Sequence, residues 1–87
     1  MIYPVAILKQ PESSYIALAP DWPNLRGTGT SIEDALLSVQ EAIAARVKEH
    51  IESQTPTPTP RTIEEACREK EYQGGIWAMV EADRVYS

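Results

Sequence analysis

The segment from Tyr15 to Leu36 constrains the fold of this 87-residue chain more than any other part. It starts as an apolar run typical of a strand, meets two prolines, and then passes two glycines before a helix begins. Proline fixes φ and has no backbone N–H, so Pro20 and Pro23 end strand pairing and stiffen the corner between them. The segment therefore predicts a strand, a rigid corner, a short strand and a helix, in that order.

Further strands are predicted on both sides of this segment. Residues 2–9 are β-branched and apolar without helical periodicity, and residues 15–19 form the return strand of a hairpin. Residues 76–83 alternate with a period of two and predict a last strand, whose return to the sheet after the helix is expected to add a parallel pair. The order β-β-β-α-[α]-β predicts an α+β domain, with one long helix on one face of a small, mainly antiparallel sheet.

Two helices are marked by capping boxes. Thr30 with Glu33 is predicted to cap the long helix, and Thr62 with Glu65 a short second helix that runs to about Tyr72. Apolar residues at helical spacing predict one buried stripe on the long helix. Its members are Ile32, Ala35, Leu36, Val39, Ala42, Ile43, Val47 and Ile51.

Length and composition predict one domain over residues 1–87, because a chain of this size supplies a single modest core. Residues 54–61, where Thr and Pro alternate, are interpreted as a stiff polyproline II linker inside that domain. Cys67 is the single cysteine and cannot form an intramolecular disulfide. With no signal-peptide pattern and no membrane span in the sequence, these features favour a cytoplasmic protein.

The charge and the polar residues argue against catalysis and nucleic-acid binding. A net charge of −5 repels phosphate and favours a basic protein partner. Asp21, Glu81 and Asp83 are the candidate carboxylates for a divalent metal. Metal-dependent nucleases, however, need several carboxylates that converge on the sheet, and the first two strands carry none. His50 has no nucleophile in a recognisable motif. No catalytic, cofactor-binding or metal-binding residue is predicted, and the chain is not expected to be an enzyme.

The motifs of the central segment resemble those of the HicB family of toxin–antitoxin antitoxins. Residues 15–23 fit the pattern Y-x-x-x-x-P-D-x-P, and the helix start after Gly29 resembles G-x-[ST]-x-x-E-A. The resemblance continues from Tyr3-Pro4 to the Pro-containing linker and the closing residues 80–83. It implies a reduced RNase H-like fold that lacks the nuclease carboxylates.

The resemblance also implies a function. Members of the family neutralise a small basic HicA-like toxin that cleaves RNA, by binding over its active surface. Many carry a C-terminal DNA-binding segment, dimerise and bind their own operator. This chain ends at Ser87, so a short form without direct nucleic-acid binding is expected. Two alternatives stay open: an orphan homo-oligomeric domain without a toxin, and a vestigial RNase H-like hydrolase.

Two surfaces are predicted to make these contacts. The partner-binding residues are placed on the rigid corner and the acidic half of the long helix: Asp21, Trp22, Asn24, Leu25, Glu33, Asp34 and Glu41. Trp22 either anchors a partner or only seals the core. Self-association as a dimer or tetramer is predicted from the apolar character of both faces of the first and last strands. The residues assigned to that interface are Tyr3, Val5, Ile7, Trp77 and Met79.

Overall fold

The computed structural model describes residues 2–81 of the chain. The elements in chain order are β1 (Ile2–Gln10), β2 (Ser14–Leu18), β3 (Arg26–Gly29), α1 (Ile32–Ser53), α2 (Ile63–Ala66) and β4 (Ile76–Glu81), with 3₁₀ turns at Pro11–Ser13 and Lys70–Tyr72. The last two residues predicted for the final strand, Ala82 and Asp83, lie outside the described residues. No helix in the described range is long and apolar enough to cross a bilayer.

The four strands form one antiparallel sheet in the order β3-β2-β1-β4, which confirms the α+β prediction. The expected parallel pair is wrong, because β4 runs antiparallel to β1, with Ile2 opposite Glu81 and Ile7 opposite Ile76. The reason is the path after α1. Residues 63–75 cross the sheet before β4 begins, so the chain enters β4 from the end at which β1 finishes.

One face of the sheet, the helix face, is closed by α1. The helix buries Ala35, Val39, Ile43 and Val47 against the inward side chains of the strands. The predicted stripe is thus confirmed at its centre, whereas its end members are exposed and Leu36 and Ala42 are half-buried. The strand residues in this core are Tyr3, Val5, Ile7, Ala17 and Val80.

The caps of the two helices differ from the prediction in one case. Ser31, not Thr30, caps α1: its hydroxyl oxygen accepts a hydrogen bond from the Asp34 backbone N–H at 3.1 Å. Ser31 takes this role because it is the last residue with extended backbone before the helix. The Thr62–Glu65 capping box is confirmed. The second helix nevertheless ends at Ala66, well before Tyr72, and the chain continues through a turn.

The contact between α1 and β3 depends on glycine. A Cβ added to Gly27 would collide with the backbone of Val39, and one added to Gly29 would collide with the backbone around Asp34 and Ala35. Without side chains at these two positions, the helix backbone lies directly against the strand.

The Thr-Pro linker carries the chain around one end of the sheet, from the helix face to the second face. No regular structure is assigned to residues 55–62. The Tyr3 hydroxyl at the start of β1 donates a hydrogen bond to the Pro58 carbonyl at 2.7 Å, which fixes the linker at that end. The second face is then covered by residues 63–75, where Tyr72 packs edge-on against Trp77 with ring centroids 5.8 Å apart.

Candidate partner-binding site

The corner that follows β2 is closed by backbone hydrogen bonds from Trp22 N–H to the Ala19 carbonyl (3.1 Å) and from Leu25 N–H to the Trp22 carbonyl (3.2 Å). Trp22 is only 2% exposed. Its ring meets Tyr3 and His50 edge-on, at centroid distances of 5.3 and 5.6 Å. The interpretation of Trp22 as an exposed anchor is therefore wrong, because the side chain seals the core at the end of the sheet.

Arg61 fastens this corner to the end of the linker. The Arg61 backbone N–H and Nε donate to Asp21 Oδ1 at 3.1 and 3.4 Å. Nη2 donates to the Pro20 carbonyl at 2.9 Å and Nη1 to Glu69 Oε1 at 2.8 Å. Asp21 is 8% exposed, and its second oxygen has no hydrogen-bond partner among residues 2–81. A buried carboxylate needs a charged or hydrogen-bonding partner, so Asp21 depends on Arg61.

The sequence analysis missed Arg61. The sequence indicates this contact only weakly. Asp21 lies in a stiff corner beside Trp22 and is therefore a candidate for burial, and a buried carboxylate needs a cation or hydrogen-bond donor next to it. Arg61 lies forty positions further along the chain, at the junction of the Pro-rich linker and a helix cap. No pattern in the sequence indicates that Asp21 and Arg61 are in contact, because this contact depends on the path of the chain in three dimensions.

The ionisation of this cluster supports a structural role. The hydrogen bond from Arg61 lowers the pKa of Glu69 below its ordinary value, and the same bond raises the pKa of Arg61. Burial of the Tyr72 phenol raises its pKa to about 12. These groups keep one charge state around neutral pH, so they hold the geometry of the corner and do not exchange protons there.

A cleft of about 530 Å³ lies between the corner and the 3₁₀ turn, lined by both acidic and basic side chains. Arg26 and Arg61 line it together with Glu69 and Glu71. The two arginines and the two glutamates that line the cleft thus balance each other's charge. Among the described residues, no group of three histidine, cysteine, aspartate or glutamate side chains could hold a metal ion. Asp83 lies outside the described residues.

The acidic half of α1 forms a separate, solvent-facing surface. Glu33, Asp34 and Glu41 are all exposed. Leu37, which is 56% exposed, follows Glu33 by four residues and precedes Glu41 by four. Residues four apart share one side of a helix, so this leucine is flanked by carboxylates on the outer side of α1. We call Glu33, Asp34, Leu37 and Glu41 the acidic helix face.

Leu37 was also missed by the sequence analysis. The signal was present, because Leu37 is a large apolar residue that falls outside the periodic stripe. Residues off the stripe of an amphipathic helix face solvent, and an exposed leucine within an acidic surface is a candidate contact residue. The periodic stripe identifies the core side of α1, and Leu37 is a large apolar residue of this helix that does not belong to it.

The predicted partner-binding residues do not form one surface. Asp21, Trp22 and Leu25 are buried, whereas Asn24 is exposed with a left-handed φ of 64°. The four residues of β3 separate this corner from the start of α1, a distance of about 13 Å along the strand. Of the predicted residues, those accessible to a partner are Asn24, Glu33, Asp34 and Glu41.

The residues assigned to an oligomer interface also fall into a buried group and a more accessible group. Tyr3, Val5 and Ile7 are buried under α1 within a single chain, so the prediction that they contact another copy is wrong. The alternation of β1 had suggested an accessible face, but α1 fills it. Trp77 is half-buried beside Tyr72, and Met79 is 54% exposed.

Comparison with solved structures gives strong matches to antitoxin domains. The N-terminal domain of the Burkholderia pseudomallei antitoxin HicB is 36% identical with a TM-score of 0.85, over 95% of this chain and 99% of that one. The longer B. pseudomallei HicB is 35% identical with a TM-score of 0.84, over 97% of this chain and 64% of that one. A chain of the HicA3 and HicB3 toxin–antitoxin complex is 29% identical with a TM-score of 0.65, over 93% and 96% of the two chains.

Comparison at the sequence level agrees with these structures. An uncharacterized 14.9 kDa protein from the rep-hol intergenic region of Haemophilus phage HP1 is 29% identical over 83 residues. That alignment covers 95% of this chain and 62% of the phage protein, so the chain spans under two thirds of that relative. The family model for the HicB-like antitoxin of bacterial toxin–antitoxin systems matches residues 3–86. The chain therefore belongs to the HicB-like antitoxin family.

Proposed function

We propose that this chain neutralises a small, basic, HicA-like RNA-cleaving toxin by binding it, without catalysis of its own. The observation that carries the proposal is the family match over residues 3–86. The similarity to a chain of the HicA3 and HicB3 toxin–antitoxin complex supports it, because the matched chain belongs to a structure of a toxin–antitoxin complex.

Charge is the first physical argument. The chain has thirteen acidic and eight basic residues, and a toxin that binds RNA needs a basic surface. Opposite net charges speed the encounter of two proteins and orient them before contact. An acidic protein that covers a basic RNA-binding surface also takes the place of the phosphates that the surface would otherwise hold.

The acidic helix face is the docking surface that we propose. It combines an apolar side chain, Leu37, with carboxylates at its margin. The α1 backbone that carries it lies directly against β3 and is therefore rigid, so little conformational entropy is lost on binding. Leu37 takes the anchoring role that was one of the two alternatives for Trp22, and the exposed Asn24 remains a candidate at the periphery.

The test is co-expression of this chain with a small, basic, HicA-like toxin, followed by affinity capture and an RNA-cleavage assay. Wild type is expected to capture the partner and suppress its cleavage of RNA. A Glu33/Asp34/Glu41→Gln triple variant should bind more slowly, with the difference shrinking at high salt. Leu37→Ala should instead dissociate faster, by about tenfold if the side chain is buried on binding.

A matched control separates this surface from net charge alone. Glu12, Glu49 and Glu64 are exposed elsewhere on the molecule, and changing all three to Gln alters the charge by the same amount. This control should retain nearly the wild-type association rate. If wild type captures no partner, the proposed function is wrong. If the two triple variants slow binding equally, the toxin docks elsewhere.

A further inference from the structure

The segment that covers the second face of the sheet, residues 62–73, makes few polar contacts with the rest of the molecule. We call it the strap. Among the described residues, every hydrogen bond of the strap but one stays within residues 62–75. The exception joins Arg61 Nη1 to Glu69 Oε1 at 2.8 Å. The capping box and the turns therefore hold the shape of the strap without bonding it to the strands.

The apolar contacts of the strap are also separate from the main core. Ala66 and Tyr72 are buried, yet neither belongs to the core cluster that α1 closes. Tyr72 packs edge-on against the half-buried Trp77. The other side chains of the strap are exposed or half-buried. A region with few buried apolar side chains opens at a lower cost in free energy than the core does.

Arg61 provides the polar attachment between the strap and the corner that follows β2. Its Nη2 donates to the Pro20 carbonyl, its Nε donates to Asp21 Oδ1, and its Nη1 donates to Glu69 in the strap. When the strap lifts away, these bonds are lost and the Asp21 carboxylate meets water. Hydration of that carboxylate offsets part of the loss, so the open state is not prohibitively costly.

Both ends of the strap suit a movement that leaves the sheet intact. On one side, the bond from the Tyr3 hydroxyl to the Pro58 carbonyl fastens the linker to β1. On the other side, Gly74 has a φ of 81°, and a Cβ there would meet no atom within 4 Å. This glycine is therefore needed for its backbone conformation and not for packing. The next element, β4, begins at Ile76.

We propose that the strap opens as one unit while the sheet and α1 stay folded, and that Arg61 is the latch that keeps it closed. The open state uncovers Ala6 and the other apolar side chains on the second face of the sheet. The acidic helix face lies on α1 and does not take part in this movement. The inference concerns the chain alone and does not depend on the toxin.

Thiol labelling measures the opening directly. In a Cys67→Ser background, Ala66→Cys places a thiol at a fully buried position of the strap, and Val39→Cys places one at a fully buried position of α1. Without denaturant, the strap thiol is expected to react with a small thiol reagent at least about a hundredfold faster than the α1 thiol. Rising urea should bring the two rates together, because global unfolding then exposes both sites.

Three substitutions separate strap opening from global unfolding. Arg61→Met should speed labelling of Ala66→Cys about tenfold, because the latch is lost. Arg68→Met is the matched control, since this exposed arginine of the strap has no ion pair among the described residues, and it should leave that rate unchanged. Ile43→Val loosens the core under α1, so it should speed labelling of Val39→Cys about fivefold and leave Ala66→Cys unchanged.

Amide hydrogen exchange supplies a second measurement that needs no introduced cysteine. The backbone N–H groups of Ala66, Cys67 and Tyr72 all donate to carbonyls within the strap, at 3.0, 2.8 and 3.1 Å. After correction for their intrinsic rates, the three are expected to exchange through one common opening. Arg61→Met should accelerate all three by the same factor.

Several results would overturn the proposal. Equal labelling of the two buried thiols without urea, or acceleration of both by Ile43→Val, would show that the strap opens only with the whole domain. Three different exchange rates within the strap would indicate fraying instead of one unit. An unchanged rate in Arg61→Met, or an equal change in Arg68→Met, would exclude the latch. Each cysteine variant must keep the wild-type circular dichroism spectrum, and the exchange measurement does not depend on them.

Discussion

The two edges of the sheet are built in opposite ways. At the β3 edge, Gly27 and Gly29 allow the backbone of α1 to lie against the strand, so the edge is enclosed by the chain itself. At the β4 edge, large apolar side chains continue to the end of the described sheet, and the cover on the second face is one helical turn of α2 and a 3₁₀ turn. The comparison shows that the chain encloses the two edges of its sheet unequally.

If the helix face supplies most of the stability, the largest loss should come from its centre. Ile43→Ala, at a fully buried position of α1, should cost about 4 kcal/mol in the free energy of unfolding, measured by urea denaturation. Ile51→Ala, on the exposed end of the same helix, should stay within about 0.5 kcal/mol of wild type. Similar losses in the two variants would refute the buried stripe.

The next largest effect should appear at the β3 edge. Gly27→Ala adds one methyl group where the Val39 backbone already lies, and α1 must move away. The expected cost is about 3 kcal/mol in chemical denaturation, the upper end of the range for overpacking. Thr28→Ala, at the exposed neighbouring position, should cost less than about 1 kcal/mol. A neutral Gly27→Ala would mean that the helix is not in close contact with β3.

A smaller loss of stability is expected for a substitution at Arg61, which fastens the corner to the residues that cover the second face of the sheet. Arg61→Met keeps the aliphatic stem and the backbone N–H to Asp21, but loses the guanidinium hydrogen bonds to Asp21 Oδ1, to the Pro20 carbonyl and to Glu69. The expected loss is about 1–2 kcal/mol, since the guanidinium is partly exposed. Arg46→Met, on the exposed side of α1, is the control. A loss as large as that of Ile43→Ala would contradict the difference between the two faces.

The smallest expected effect is a dependence of stability on pH, which comes from Glu69. Arg61 lowers the pKa of Glu69 in the folded protein, below the ordinary value of 4.5. The stabilisation is complete above pH 4.5 and is lost as the pH falls through the folded pKa, because the unfolded chain then binds the proton more readily. Glu69→Gln should therefore flatten the fall of the melting temperature between pH 5 and 3. Glu12→Gln, which removes a carboxylate from an exposed turn, should not.

Local patterns predicted the parts of the fold that depend on neighbouring residues. The stripe of α1, the hairpin of β1 and β2, and the cap at Thr62 follow from spacings of a few positions, and each is confirmed at its centre. The direction of β4 could not be predicted this way, because it depends on residues 63–75 crossing the second face. That path depends on tertiary packing, which leaves no periodic signal in the chain.

The candidate site was predicted less well than the fold, for a related reason. Residue type suggested an anchoring role for Trp22, but its burial is decided by Tyr3 and His50, which approach it from distant parts of the chain. Charge alone was sufficient to place Glu33, Asp34 and Glu41 at the surface. The contact between Asp21 and Arg61, and the exposure of Leu37, became evident only with the three-dimensional structure.

The pairing of β1 with β4 has a consequence for the order in which the chain folds. Ile2 and Glu81 are opposite each other although nearly the whole described sequence separates them, so this pairing closes the longest loop within residues 2–81. Contacts that close long loops form slowly, and until β4 arrives, β1 is itself an open edge made of Val5, Ala6 and Ile7. A nascent chain is therefore most vulnerable to aggregation in the interval between completion of α1 and arrival of β4.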